Sequence, residues 1–253
     1  WRAMKWLPLA LCLAACSSEP YVIGRYVPVG DAGVPRFDAG SVEEDAGADE
    51  GDECEDDYAD ALVCSGFEAP LEDDWSELVE TRRGSLGRSR DVVFDGEHAL
   101  HAETEASSSS AVVVARFPAV EGGRVYMRAM LYIPSELPTN IMNLFFLGDD
   151  ANMDADFEGI DLNVVDGVLQ VFAPQADPTR STGTHDLPRD GWFCLRMDVT
   201  LDHDAGTVDL YVDDELDLAA VGLDTLPARG TRQFRAGIDW SSEQEDYFEV
   251  FMD

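Results

Sequence analysis

Lysine is almost missing from this 253-residue chain, Lys5 being the only one. Lys and Arg together number 17 against 52 Asp and Glu, a formal net charge of −35. An excess of acid on this scale repels phosphate backbones and sets nucleic acids aside as partners. Long apolar runs are missing too: none reaches the ~18 residues of a spanning helix. Cysteine is scarce, with five in all and no Cys-x-x-Cys or Cys/His spacing of the kind that holds zinc. No long amphipathic helix pattern occurs. What remains is 45% hydrophobic and 9% aromatic residues, enough for one sizeable core in one or at most two domains.

The first residues read as an address. Arg2 and Lys5 precede the short apolar stretch Trp6-Leu-Pro-Leu-Ala-Leu-Cys-Leu-Ala-Ala15, too short to span a bilayer but suited to a secretory leader, residues 1–15. The leader ends in Leu13-Ala14-Ala15-Cys16, which resembles the bacterial lipobox. That resemblance implies a lipidated, palmitate-bearing Cys16 as the mature first residue, and two or three acyl chains hold a membrane far better than one. An ordinary cut after Ala15 is the alternative. Ser17, rather than aspartate, favours the outer membrane, with the folded part facing the periplasm or the cell surface.

Residues 16–60 follow as an acidic spacer. Asp-Ala-Gly recurs at Asp31, Asp38 and Asp45, and 17–60 carry 14 acidic and 2 basic residues. Such a segment has little to bury and repels itself, so it reads as a disordered, extended tether, with a weak calcium-binding tract as the alternative. With Cys12 lost in the leader and Cys16 lipidated, Cys54, Cys64 and Cys194 remain. Export favours pairing. A Cys64–Cys194 bridge would join two strand-like segments and close a long loop, while Cys54–Cys64 is the near-neighbour alternative.

From Ala61 to Asp253 the pattern turns to strands. In Arg124–Ile133, Val125, Met127, Ala129, Leu131 and Ile133 share one face, and Arg124, Tyr126, Arg128, Met130 and Tyr132 share the other. Trp192–Leu201, Val208–Val212 and Phe234–Trp240 alternate in the same way. Asp166-Gly167 joins Ile160–Val165 to Val168–Phe172 as a two-residue hairpin. Further strands are expected near Leu62–Phe67, Ala99–Glu105, Ala111–Phe117, Ile141–Leu147 and Tyr247–Met252. Many short strands with polar outer faces predict an all-β, antiparallel two-sheet sandwich.

Gly206-Thr-Val-Asp-Leu-Tyr-Val-Asp-Asp-Glu-Leu216 resembles a hairpin of the laminin-G-like and concanavalin A-like jelly rolls. Gly191-Trp192 before an alternating strand, Cys64-Ser-Gly-Phe-Glu68, and Arg124-Val-Tyr-Met-Arg128 followed by Pro134 are similar to segments of members found on bacterial surface lipoproteins. The resemblance spans 61–253. It implies two curved sheets and the binding of glycans or proteins, sometimes with calcium; some relatives are glycosidases or polysaccharide lyases. Asp214 stands where the family prefers glycine, which requires a left-handed aspartate.

Two candidate sites stand out. Asp150, Asn152, Asp154, Asp156, Glu158 and Asp161 fall at the oxygen-ligand spacing of a calcium loop, although Ala155 replaces the turn glycine and Asp161 the usual glutamate. A solvated acidic loop is the plain alternative. The second is a carbohydrate-binding surface of Tyr126, Arg128 and Tyr132, with Asp161 and Asn163 projecting from a possible neighbouring strand. Rings against sugar C–H faces beside hydroxyl-binding groups are what a glycan needs, and the same residues can equally be plain cover for an outer sheet face.

For catalysis the chain offers little. The Glu-x-Asp-x-x-Glu strand motif of jelly-roll glycosidases, which sets two carboxylates about 5 Å apart, does not occur; Glu158 and Asp161 point to opposite faces if extended. Ser107–Ser110 has no nucleophile-elbow context. The expectation is therefore a lipid-anchored, non-catalytic binder of glycan. The alternatives are a jelly-roll glycoside hydrolase or polysaccharide lyase, or a laminin-G-like module that binds a surface protein. The address is testable: Cys16→Ser should abolish incorporation of labelled palmitate and move the protein from the membrane fraction to the soluble fraction.

Overall fold

The computed structural model describes residues 21–25, 61–105, 109–135, 141–149, 158–176, 180–241 and 247–253. Two antiparallel sheets account for nearly all of them. One has nine strands. Its path runs β14 (Glu215–Leu223), β13 (Gly206–Val212), β12 (Trp192–Leu201), β7 (Gly123–Tyr132), β16 (Phe248–Met252), β5 (Ala99–Thr104), β4 (Gly84–Ser89). Off this path, β1 (Tyr21–Arg25) pairs with both β7 and β2 (Ala61–Ser65). The other sheet has seven strands: β11 (Arg180–Asp186), β10 (Val168–Phe172), β9 (Gly159–Val165), β8 (Met142–Gly148), β15 (Thr231–Ser241), β6 (Ser110–Val120), β3 (Glu77–Thr81). Among the described residues the helix is a single turn, α1 (Leu71–Asp74).

The alternation read from sequence sets the layers. Val125, Met127, Ala129, Leu131 and Ile133 are all buried in the shared core, as are Phe193, Leu195, Met197, Val199 and Leu201 of β12. The facing sheet contributes Leu144, Phe145 and Leu147 from β8 and Phe234, Ala236 and Ile238 from β15. Phe145 and Phe234 stack at 5.6 Å. Tyr126, Arg128 and Tyr132 lie on the other side of β7, each part-exposed.

The turns carry strain where sequence placed it. Asp166 and Gly167 have φ of 51° and 88°, the left-handed pair of a tight hairpin. Between β13 and β14 both Asp213 and Asp214 are left-handed, at 48° and 65°. Asp213 Oδ1 accepts a hydrogen bond from the Cys194 N–H at 2.9 Å, which ties the turn to β12.

Several strands escape the sequence reading. β3, β4 and β11 lie at sheet edges, and Arg180-Ser-Thr-Gly-Thr-His-Asp186 has no apolar face to betray it. More consequentially, Tyr21–Arg25 falls inside the expected tether yet forms β1, with Val22 opposite both Cys64 and Arg128. Its Tyr-Val-Ile triplet has high strand preference, hidden by the acidic average of the segment around it.

The expected Cys64–Cys194 pairing also meets the sheet order. The ladder runs β2, β1, β7, β12, so two strands stand between the cysteines. At roughly 4.8 Å per strand that is about 14 Å, twice the ~7 Å that a disulfide spans between Cα atoms. The strand order thus sets Cys64 and Cys194 apart, and each of them is disulfide-bonded.

Two sheet edges are joined by one side chain. Asp217 of β14 is buried, and its Oδ1 accepts from the N–H groups of Thr184 and His185 on β11, both at 3.0 Å, with His185 Nδ1 at 2.8 Å. The core and the turn make opposite predictions. Phe234→Ala should cost about 3–5 kcal/mol of unfolding free energy in urea denaturation. Asp214→Gly should gain a few tenths to about 1 kcal/mol, because glycine relieves the left-handed conformation and the exposed Arg196–Asp214 contact contributes little.

Candidate functional site

The outer face of the seven-stranded sheet carries an unusual set of residues. In-register pairing lines them up in two rows across the strands. The first runs Arg180, Phe172, Asp161, Phe146, Arg235 over β11, β10, β9, β8 and β15. The second runs Thr182, Gln170, Asn163, Asn143, Trp240. Each row combines flat rings with groups that exchange hydrogen bonds.

The first row is held by cation–π contacts. The Arg180 guanidinium lies 5.2 Å from the Phe172 ring centre, and that of Arg235 lies 5.2 Å from Phe146. Arg235 Nη1 also donates to Asp239 Oδ2 at 3.0 Å. In the second row Gln170 Nε2 donates to Thr182 Oγ1 at 3.2 Å. Asn143, Asp161 and Asn163 are sunk below their neighbours, with 6%, 8% and 8% of their surfaces exposed. Asn143 Oδ1 and Asp239 Oδ1 are buried without a hydrogen-bond partner. Two unsatisfied oxygens on one polar face are costly and would suit a ligand bearing hydroxyl donors.

Asp161 stands at the centre. Burial pushes its carboxyl up to about 7; the hydrogen bond from Asn143 and the charge of Arg235 pull the other way, while Asp239 adds to the rise. A carboxyl raised into this range matches the requirement of a general acid or base working near neutral pH.

At one end of this face a cavity of about 240 Å³ is lined by Arg116, Phe117, Asp149, Arg229 and Arg232. Arg229 Nε pairs with the buried Asp149 at 2.7 Å, and Arg116 with Glu77 at 2.9 Å. Three of the chain's few cations thus border one hollow.

The residues expected to share one glycan surface divide between the two sides of the sandwich. Tyr126, Arg128 and Tyr132 belong to the nine-stranded sheet, whereas Asp161 and Asn163 belong to the seven-stranded one. The neighbours of β7 are β12, β16 and β1, not β9. Asn143, Gln170, Phe172, Arg235, Asp239 and Trp240 went unnoticed as partners of Asp161. Several fall on outward positions of strands that were foreseen, but strand order is not written in local pattern.

Of the six expected calcium ligands, Asp150, Asn152, Asp154 and Asp156 lie outside the described residues. The other two diverge: Glu158 accepts from the Ala228 N–H, and Asp161 turns to Asn143. Oxygen donors gather elsewhere, where Asp253 Oδ2 accepts from the N–H groups of Phe94 and Asp95, beside Glu68. Burial pushes the Asp253 carboxyl up to about 6.

The raised Asp161 sets a pH dependence. Between its ordinary range near 4 and about 7 the folded state binds the proton more tightly than the unfolded chain, so folding stability falls as pH rises through that window. The loss is at most on the order of 4 kcal/mol. Asp161→Asn should flatten this slope in urea denaturation at pH 5 and pH 8, and should leave the variant more stable than the parent at pH 8.

No family model and no curated protein matches the chain. Among solved structures it is similar to the endo-β-1,4-glucuronan lyase of the fungus Trichoderma reesei, at 13% identity and a TM-score of 0.55 over 71% of this chain and 88% of that one. It is also similar to the cellulose induced protein Cip1, at 14% identity and a TM-score of 0.54 over 72% of this chain and 92% of that one. At such identities the likeness establishes a common jelly-roll β-sandwich.

Proposed function

We propose that this protein binds polysaccharide along the outer face of its seven-stranded sheet, as an exported, lipid-anchored and non-catalytic module. The observation that carries the reading is the pair of in-register rows, in which the accessible rings of Phe172 and Trp240 lie among Asp161, Asn163, Asn143, Gln170 and Thr182. Sugars present alternating C–H faces and hydroxyl edges, and such a surface meets both. Similarity to a glucuronan lyase is consistent with a glycan ligand, and the arginine-lined cavity would receive a carboxylate-bearing sugar. The acidic surroundings disfavour long-range attraction of polyanions, so binding of an acidic chain should strengthen with salt.

A second reading is a polysaccharide lyase. Asp161, beside Arg235 and Asn143, would take the C5 proton of a uronate as the C4–O glycosidic bond breaks and the leaving oxygen takes a proton from solvent, while the cation and amide neutralise the uronate carboxylate. The two readings part in one experiment on a panel of neutral and acidic polysaccharides. Retention without new unsaturated sugar ends supports the binder; ultraviolet-absorbing unsaturated ends that vanish in Asp161→Asn select the lyase. For the binder, Asn163→Ala and Phe172→Ala should each weaken affinity about 5- to 100-fold, measured by calorimetry, and Tyr126→Ala should leave it unchanged. Loss of binding in Tyr126→Ala with Phe172→Ala intact would move the site to the opposite sheet.

A further inference from the structure

The nine-stranded sheet has its own cluster on the opposite side of the molecule. β16 and β5 pair so that Glu249 lies directly across from Glu103, and Phe251 across from His101. Like charges in directly opposed positions destabilise a strand pair, and here they do so in a chain already carrying −35. Tyr247 answers with a single hydroxyl proton aimed at both carboxylates, its oxygen 2.9 Å from Glu103 Oε2 and 2.8 Å from Glu249 Oε2. His101 Nε2 lies 3.1 Å from the same Glu249 oxygen.

The imidazole is oriented by its neighbours. Its ring stacks on Phe251 at 4.4 Å and 4°; Phe251 meets Tyr132 at 5.9 Å, and Tyr132 meets Trp192 at 5.7 Å. This chain of rings runs across four strands, β5, β16, β7 and β12. It holds His101 at an angle that keeps Nε2 over the carboxylates, as ring-fixing groups do for metal-ligating histidines. Ligand atoms of His101, Glu103 and Glu249 all lie within 4.8 Å of one another. All three side chains are part-exposed, so an ion can reach them.

We propose that His101, Glu103 and Glu249 form a binding site for a zinc-like divalent transition metal, with Tyr247 or solvent completing the shell. One imidazole nitrogen and two carboxylates suit Zn²⁺ better than Ca²⁺, which takes six to eight oxygens. The ion would replace one shared proton with two positive charges between the opposed glutamates. It would also clamp β16 to β5, on the face away from the proposed glycan surface, so the inference stands apart from that function.

The test uses the full chain, stripped with EDTA, and follows thermal melting and calorimetric titration with Zn²⁺, Ca²⁺ and Mg²⁺. The acidic spacer will take up zinc weakly, so the reading is the difference between the parent and its variants. The expected result is one tight Zn²⁺ per chain and a rise in melting temperature of several degrees, both lost in His101→Ala and in Glu249→Gln and both kept in Glu68→Gln. Glu103→Gln supplies an independent sign: it should melt higher than the parent in EDTA, where the repulsion is relieved, and lower than the parent in Zn²⁺. Tight zinc that survives His101→Ala, an equal rise with Ca²⁺, or Glu103→Gln variants that melt identically to the parent under both conditions would overturn the site.

Discussion

Everything in this molecule hangs on the dry layer between two pleated sheets. A strand sends successive side chains to opposite faces, so burying one face of each sheet leaves every second residue facing out. β7 and β12 follow this rule through ten residues each, and Phe145, Phe234 and Phe193 fill the space between the layers. Because the inner face is so strictly apolar, the register of each strand is fixed, for a slip of one residue would exchange core and surface. Fixed registers are also what lines Asp161 up with Phe172 and Phe146, and Glu249 with Glu103. Both proposed sites are by-products of the same packing constraint.

Charge is distributed to suit a chain with few cations. All four histidines lie 2.8–3.2 Å from a carboxylate: His98 by Glu68, His101 by Glu249, His185 by Asp217 and His203 by Asp224. Arginines serve likewise, Arg229 against the buried Asp149 and Arg235 against Asp239. Exposed pairs of this kind add little to stability. Their use here is local: each gives a carboxylate a hydrogen-bond partner at a strand pair or loop junction.

Much of the fold was legible because its signal is local. The alternation in Arg124–Ile133 and Trp192–Leu201, and the turn residues Asp166-Gly167 and Asp213-Asp214, need only a short window to read. The edge strands β4 and β11 were silent, since an edge strand with little core face has no apolar period to show. The site was half legible. Asp161 and Asn163 were noticed as polar residues on a strand, but their partners Asn143, Arg235 and Gln170 come from strands whose adjacency depends on the order of the whole sheet. Tyr126 and Tyr132, chosen for their type, turned out to lie on the far layer. The short strand Tyr21–Arg25 was lost for the opposite reason: five ordered residues were averaged into a long acidic segment.

That small strand changes the geometry of attachment. A leash running from residue 16 to residue 60 would let the sandwich roam far above the bilayer. Docking of Tyr21 beside β2 and β7 leaves only five residue steps back to Cys16, a reach of about 17 Å at full extension. With the proposed lipid on Cys16, the sandwich would ride close over the headgroups instead of standing off on a long stalk.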